Sequence, residues 1–390
     1  MLYDFDRITN RKNTGSVKWD SAPKFFSGEG QALLPLWVAD MDFPAPQPVV
    51  DALVKRAQHG VFGYTMMSEG YRRAITGWMS RRHNWNVEEN WIVTTPGVIP
   101  ALHWLVRTFA QPGDNIVVQS PVYYHFYKAV RNTGCEIVYN PLQLQGDQYC
   151  MDFADLRQKI TDRTKALILC NPHNPMGRVW TREELTALGE LCLERGVLVI
   201  SDEIHGDLIF PGHRHLPFAS LSPEFAANSI ICTSPSKTFN LAGLQTSNII
   251  IPNLTLRRQF IQTVRMNGIY EPNLFGQVAC EAAYNLCEDW LEHLLAYLEG
   301  NLQFLLDYVE ANLPQVRVIK PQSTYLAWLD FRSLGLQPEE LHQMLLAKAR
   351  VWLDEGHIFG PGGGGFERIN LACPRSVLQQ ALQNITEALR

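Results

Sequence analysis

The chain has 390 residues, more than one ordinary core organises, so two domains or one large α/β domain with an appendage is expected. With 46% hydrophobic and 19% charged residues and a formal net charge of -5, it is ordinary for a globular protein and lacks the basic surface that nucleic acid requires. Its eight cysteines show no C-x-x-C or paired spacing, which reads as reduced, buried thiols in a cytoplasmic protein. Residues 1–11 carry charges where a signal peptide is apolar, and no apolar run approaches the ~20 residues of a membrane span, so neither export nor membrane anchoring is expected.

Residues 1–45 read as irregular, with several Pro and Trp. From about residue 91 short β-rich runs recur at 116–119, 136–139, 166–170, 197–200, 229–233 and 248–251. They alternate little between apolar and polar, the pattern of strands buried on both faces of a largely parallel sheet. Amphipathic helical stretches lie between them. In the one at 181–195, Thr181 is placed to cap and Glu184, three residues on, to complete a capping box. A long helical pattern over 286–312 is followed by strand-like runs at 325–329 and 366–371. The succession predicts an α/β large domain over 46–289, and a smaller α+β domain made of 1–45 and 290–390. No internal repeat or low-complexity tract stands out.

Three signatures follow three of these strands: Asn171-Pro172-His173-Asn174-Pro175-Met176-Gly177, Ser201-Asp202-Glu203-Ile204-His205, and Ser234-Pro235-Ser236-Lys237-Thr238-Phe239. In an open α/β sheet, ligands sit beyond the carboxyl ends of strands, where Asn174, Asp202 and Lys237 can converge. A lysine amine that condenses with an aldehyde, an anion beneath a ring nitrogen and an amide beside a phenolic oxygen together describe a site for pyridoxal phosphate. Taken singly, Asp202 is as well read as a helix cap, Asn174 as part of a proline-stiffened turn and Lys237 as a surface residue. Their company favours the cofactor. Ser234, Ser236 and the backbone amides of Gly97, Val98 and Ile99, which open a helix running to about residue 110, are candidate phosphate donors.

Arg375, after the last strand, is the candidate clamp for a substrate carboxylate, since a guanidinium pairs with it bidentately. The glycine-rich stretch 360–365 lacks a following G-K-[ST] and reads as a flexible connection. His213 and His215, two apart and without carboxylate company in sequence, read as solvent-facing, and no metal is expected.

With Asn174, Asp202 and Lys237 in place, the chain resembles fold-type-I pyridoxal-phosphate enzymes of the aminotransferase class I/II superfamily. Within that group it is similar to the MalY/PatB family of cystathionine β-lyase-like carbon–sulfur lyases. The resemblance runs nearly end to end, through Trp37-Val38-Ala39-Asp40-Met41-Asp42-Phe43, His59-Gly60-Val61-Phe62-Gly63-Tyr64, Ser120-Pro121-Val122-Tyr123, the three signatures above and Asn370-Leu371-Ala372-Cys373-Pro374-Arg375. It implies a mostly parallel seven-stranded sheet covered by helices, with Tyr123 stacked on the cofactor, His205 beside it, and Ala39, Asn174 and Arg375 at the substrate. It also implies a homodimer in which Tyr64 reaches the partner's cofactor phosphate. His205 stands where aminotransferases often carry a tyrosine, and Gln245 where many carry a phosphate-binding arginine. The implied reaction is elimination from L-cystathionine or related S-substituted cysteines, in which Lys237 removes the α-proton and Tyr123, Tyr64 or Lys237 protonates the departing sulfur. An aminotransferase is the first alternative. A pyridoxal-phosphate-binding regulatory module is the second, disfavoured because no basic DNA-binding extension precedes the small domain.

Overall fold

The computed structural model describes residues 3–22 and 33–390; residues 1–2 and 23–32 of the N-terminal segment lie outside the described residues. A seven-stranded sheet forms its centre. In chain order the strands are β1 (Ile92–Thr95), β2 (Asn115–Val118), β3 (Glu136–Tyr139), β4 (Thr164–Cys170), β5 (Leu198–Asp202), β6 (Ser229–Thr233) and β7 (Ser247–Ile250). Their order across the sheet is β1-β7-β6-β5-β4-β2-β3. The run from β6 to β3 is parallel throughout, and β7 is antiparallel to both β6 and β1. The expected runs at 116–119 and 197–200 are each shifted by a residue or two, and β1 had not been singled out as a strand. Its four residues, Ile-Val-Thr-Thr, are all β-branched and suit a strand, so composition there did carry a signal.

The weak alternation has a physical cause. Leu167 and Leu169 of β4, Val199 of β5, Ile231 of β6 and Val117 of β2 belong to one apolar cluster. Their immediate neighbours Ala166, Ile168, Ile200, Ile230, Cys232, Ile116 and Val118 belong to another. Side chains still alternate with period 2, but both faces are dry, so both positions are apolar. Helices Val98–Phe109, His125–Arg131 and Leu254–Met266 cover one face with Leu102, Leu105, Phe126 and Phe260. On the other face lie Glu69–His83, Arg182–Glu194 and Leu274–Leu286, with Tyr71, Trp78, Leu185, Leu188 and Ala279. The helix Arg182–Glu194 starts in the capping box of Thr181 and Glu184.

Beyond the sheet, the 25-residue helix Glu288–Asn312 leads to an antiparallel sheet of Arg317–Ile319, Leu326–Asp330, Phe366–Asn370 and Asp354–Glu355, in that order. The N-terminal segment joins this part of the chain, because Leu34–Pro35 pairs in parallel with Val351–Trp352. Two expectations change here. Residues 360–365 are a packed turn rather than a loose connection, since a Cβ on Gly360 would stand 2.5 Å from Tyr127 Oη, and that hydroxyl donates to Phe359 O at 2.7 Å. His215 does not face solvent: it is buried, and its Nε2 donates to Glu203 Oε2 at 3.0 Å. No local pattern announces a partner 12 residues upstream.

Candidate active site

Four parallel strands end along one edge of the central sheet, and each delivers a polar side chain. Beyond β2 comes Tyr123, beyond β4 Asn174, at and beyond β5 Asp202 and His205, and beyond β6 Ser236 and Lys237. The register aligns Asp202 with Cys170 on one side and Cys232 on the other, so the strands finish together. Between β2 and β4 the strand order reverses, and a parallel sheet leaves a crevice at such a point. The crevice here is a cavity of about 210 Å³, walled by those residues and by Ala39, Gly97, Val98, Ile99, Gln245 and Thr246. The amides of 97–99 belong to the start of the helix Val98–Phe109, whose first N–H groups have no partners within the helix.

Lys237 Nζ donates to Ala39 O at 2.6 Å, and Tyr325 Oη donates to the same carbonyl at 2.9 Å. Burial, with the nearby Arg368 cation, lowers the Lys237 amine to about 8. Asp202 moves the other way: burial raises its carboxyl to about 7, against the lowering by the Ile204 amide, 3.1 Å from Oδ1, and by Lys237. His205 is held well below its ordinary value by burial and by the Lys237 and Arg368 charges, and its buried Nδ1 has no hydrogen-bond partner among the described residues. Burial likewise raises the half-buried Tyr123 phenol, so it stays protonated across the physiological range.

Three expected residues lie elsewhere. Arg375 does not reach the cavity: its Nε donates to Asn301 Oδ1 at 2.6 Å and its guanidinium lies over the Phe304 ring, both on helix Glu288–Asn312. Ser234 is used as a helix cap, donating to Thr246 O at 2.8 Å and accepting from Ser236 N at 3.1 Å, and it does not line the cavity. Tyr64 is fully exposed on the single chain, in a stretch with exposed Val61, Phe62 and Met66.

The guanidinium nearest the site is Arg368, which sequence reasoning missed; it is buried behind the cavity wall and reaches it through Asn174. Its Nη1 donates to Asn174 Oδ1 at 3.0 Å, its Nη2 donates to Trp37 O at 2.9 Å and to Asp354, and its buried Nε has no partner among the described residues. The one available signal was an arginine in the middle of a buried strand, Phe-Glu-Arg-Ile-Asn, where a charge persists only when partnered. Because Arg368 occupies Asn174 Oδ1, the Asn174 amide nitrogen, which donates to no described residue, is left for a ligand.

These features fit pyridoxal phosphate on the chemistry of the donors alone. A buried carboxylate with one oxygen satisfied, an orphaned imidazole nitrogen, an undirected amide and a lysine amine of lowered basicity share one cavity with free helix N–H groups. Among the described residues, no group of three or more His, Cys, Asp or Glu is placed to hold a metal ion.

The fold and this edge define a class, and comparison with known proteins gives the same class. The chain belongs to the aminotransferase class I and II family, whose model matches residues 32–385. It is 48% identical over 387 residues to cystathionine β-lyase PatB of Bacillus subtilis (strain 168), covering 99% of this chain and 100% of the relative. Cystalysin from Treponema denticola, which contains a pyridoxal 5'-phosphate cofactor, has a TM-score of 0.97 at 39% identity over 100% of this chain and 99% of that one. The pyridoxal-phosphate-bound C–S lyase of Staphylococcus hominis has a TM-score of 0.93 at 34% identity over 99% and 98%.

A lowered lysine pKa means that neutral, reactive amine appears at lower pH. In cofactor-free protein, acylation of Lys237 followed by peptide mass spectrometry is expected to reach its half-maximal rate near pH 8, where exposed lysines, with ordinary values of about 10.4, remain slow. A Lys237 profile that coincides with those of the exposed lysines would sink this reading.

Proposed function

We propose that the chain is a pyridoxal-phosphate-dependent carbon–sulfur β-lyase, which converts L-cystathionine or related S-substituted cysteines to pyruvate, ammonia and a thiol. The observation that carries this is the meeting of Lys237, Asp202 and Asn174 in one cavity with Arg368 behind them. In this reading Asp202 would face the ring nitrogen, Asn174 Nδ2 the phenolic oxygen, Tyr123 the ring, and Ser236 with the amides of Gly97, Val98 and Ile99 the phosphate. Bound pyridoxal phosphate supplies an aldehyde for the substrate amine and an electron-withdrawing ring that stabilises negative charge at the α-carbon.

The protein's own groups do the rest. Arg368, held still by Asp354, Trp37 O and Asn174, pairs with the substrate carboxylate through the N–H groups these contacts leave unused, in the place first given to Arg375. Lys237 Nζ, with a pKa of about 8, is neutral often enough at physiological pH to take the α-proton, and Ala39 O is the acceptor that steadies it once charged. A thiolate bonded to the β-carbon then departs, taking the electron pair of the C–S bond. Tyr123, kept protonated by burial, is a proton source in the cavity wall; the Lys237 ammonium is another. Water then converts the released aminoacrylate to pyruvate and ammonia, so the amino group does not stay on the cofactor and no keto acid enters the cycle.

A homodimer belongs to the same reading. The exposed apolar stretch with Val61, Phe62, Tyr64 and Met66 is a face that a second copy would cover, bringing Tyr64 to the partner's cofactor phosphate. The domain limits 46–289 for the cofactor-binding part, and 1–45 with 290–390 for the smaller part, fit the two sheets and the pairing of Leu34–Pro35 with Val351–Trp352. Eight free cysteines, seven of them buried, support a cytoplasmic setting.

Purified protein given cystathionine and pyridoxal phosphate but no keto acid is expected to make pyruvate continuously, and Lys237→Ala to lower kcat roughly a thousandfold or more. Production that halts until a keto acid is supplied would identify an aminotransferase instead. Arg368→Lys keeps the charge but loses the fork, so KM for amino-acid substrates should rise about 10- to 100-fold, with Arg375→Ala changing KM less than about threefold. The reverse ranking would return the clamp to Arg375. Mixing inactive Tyr64→Ala and Lys237→Ala chains under conditions of subunit exchange should recover activity, because one site of each hybrid is intact. No recovery despite exchange would refute shared sites.

A further inference from the structure

Lys237 sits in a helical turn of only four residues, Pro235–Thr238, which is too short to hold its own shape. Outside contacts must fix it. On the far side of the turn from the cavity, the fully buried Thr238 donates its hydroxyl to Asp207 Oδ2 at 2.7 Å. The other oxygen of Asp207 accepts from Trp78 Nε1 at 3.0 Å and from His83 Nε2 at 2.7 Å, both on helix Glu69–His83. Burial raises the Asp207 carboxyl, but the His83 contact and the Thr238 hydroxyl more than offset this and leave it lowered, so the group is an anion with three donors.

The segment 202–207 therefore divides its polar residues. Asp202 and His205 face the cofactor cavity, whereas Asp207, with His83, lines a second cavity of about 390 Å³ on the opposite side. Asp207, Thr238, Trp78 and His83 touch none of the cofactor cavity, so the catalytic roles above leave them without a part. A purely apolar contact would fill the space around Thr238 as well as a hydroxyl does. A charge-assisted hydrogen bond does something more: it fixes the direction of the turn.

We propose that Asp207 is a positioning residue for Lys237, acting through the Thr238 hydroxyl and anchored by Trp78 and His83. The inference rests on the role given to Lys237 above. Proton transfer needs donor and acceptor within about 2.6–3.2 Å, and a displacement of about 1 Å costs up to roughly a hundredfold in rate. A lysine on an untethered turn would still bind the cofactor, but its amine would stand off the line to the α-carbon.

The test compares Thr238→Val, which keeps shape and removes the hydroxyl, with Thr238→Ser, which keeps the hydroxyl. The valine holoenzyme is expected to lose about tenfold or more in kcat with KM within about twofold, and to show an altered visible circular dichroism band from the lysine-bound cofactor; serine restores both. If the valine chain does not fold, Thr238→Ala takes its place. A folded variant without the hydroxyl that matches wild type in kcat and in the dichroism band overturns the inference. So does a serine variant no better than valine, and so does failure of both valine and alanine chains to fold, since the contact would then serve stability alone. Borohydride fixation separates this from failure of the underlying reading: it should place the cofactor on Lys237 in wild type and in every variant, and a label elsewhere in wild type would dispose of the role of Lys237 itself.

Discussion

An amine and a carboxylate are both withdrawn from water at one sheet edge, and the rest of the site is arranged around that withdrawal. Burial pushes Asp202 up to about 7 and Lys237 down to about 8, so that each loses part of its preference for the charged state. Desolvation alone would leave two weakly ionised groups with nothing to do. In the proposed function, a ring nitrogen beside Asp202 and an aldehyde before Lys237 would turn both costs to use, since the first favours the carboxylate and the second reacts only with a neutral amine.

Arg368 ties this pair to the smaller sheet. It is a buried cation, tolerable only because Asp354, the Trp37 carbonyl and Asn174 surround it, and its field helps to hold Lys237 and His205 in their neutral forms. Further contacts pin the segment 37–43, which brings Ala39 O to the lysine. Asn370 Nδ2 donates to Val38 O and Asp40 O, Asn240 bonds Met41 through both N and O and also Phe43 O, and Lys18 and Arg11 pair with Asp42. The cavity is thus closed by two stretches of chain far apart in sequence, and the lysine's resting acceptor comes from a part of the protein that carries none of the three signatures.

Strand ends explain why the cofactor signatures were readable. Asn174, Asp202 and Lys237 each follow a short apolar run, and a parallel sheet obliges such runs to finish on the same side, so spacing along the chain already implied proximity in space. Arg368 obeys a different logic. It lies inside a strand of the antiparallel sheet, where sequence gives no direction for its side chain, whereas Arg375 just past that strand looked better placed and in fact turns onto Phe304 and Asn301. Ser234 was ambiguous for a similar reason, because a serine at a helix start can serve a ligand or its own backbone, and here its hydroxyl is engaged with the backbone.

By itself the sequence determined the α/β class, the strands that carry the signatures and the lysine, aspartate and asparagine at their ends, since periodicity and strand-end position are local properties of the chain. The tertiary structure decided what lies opposite them: the Ala39 carbonyl against Lys237, Arg368 against Asn174, His215 against Glu203 and Asp207 against Thr238, Trp78 and His83. Those partners are 12 to 198 residues away along the chain. Only closure of the core brings such groups within hydrogen-bonding distance, and no residue pattern records which of many buried polar groups a given one will meet.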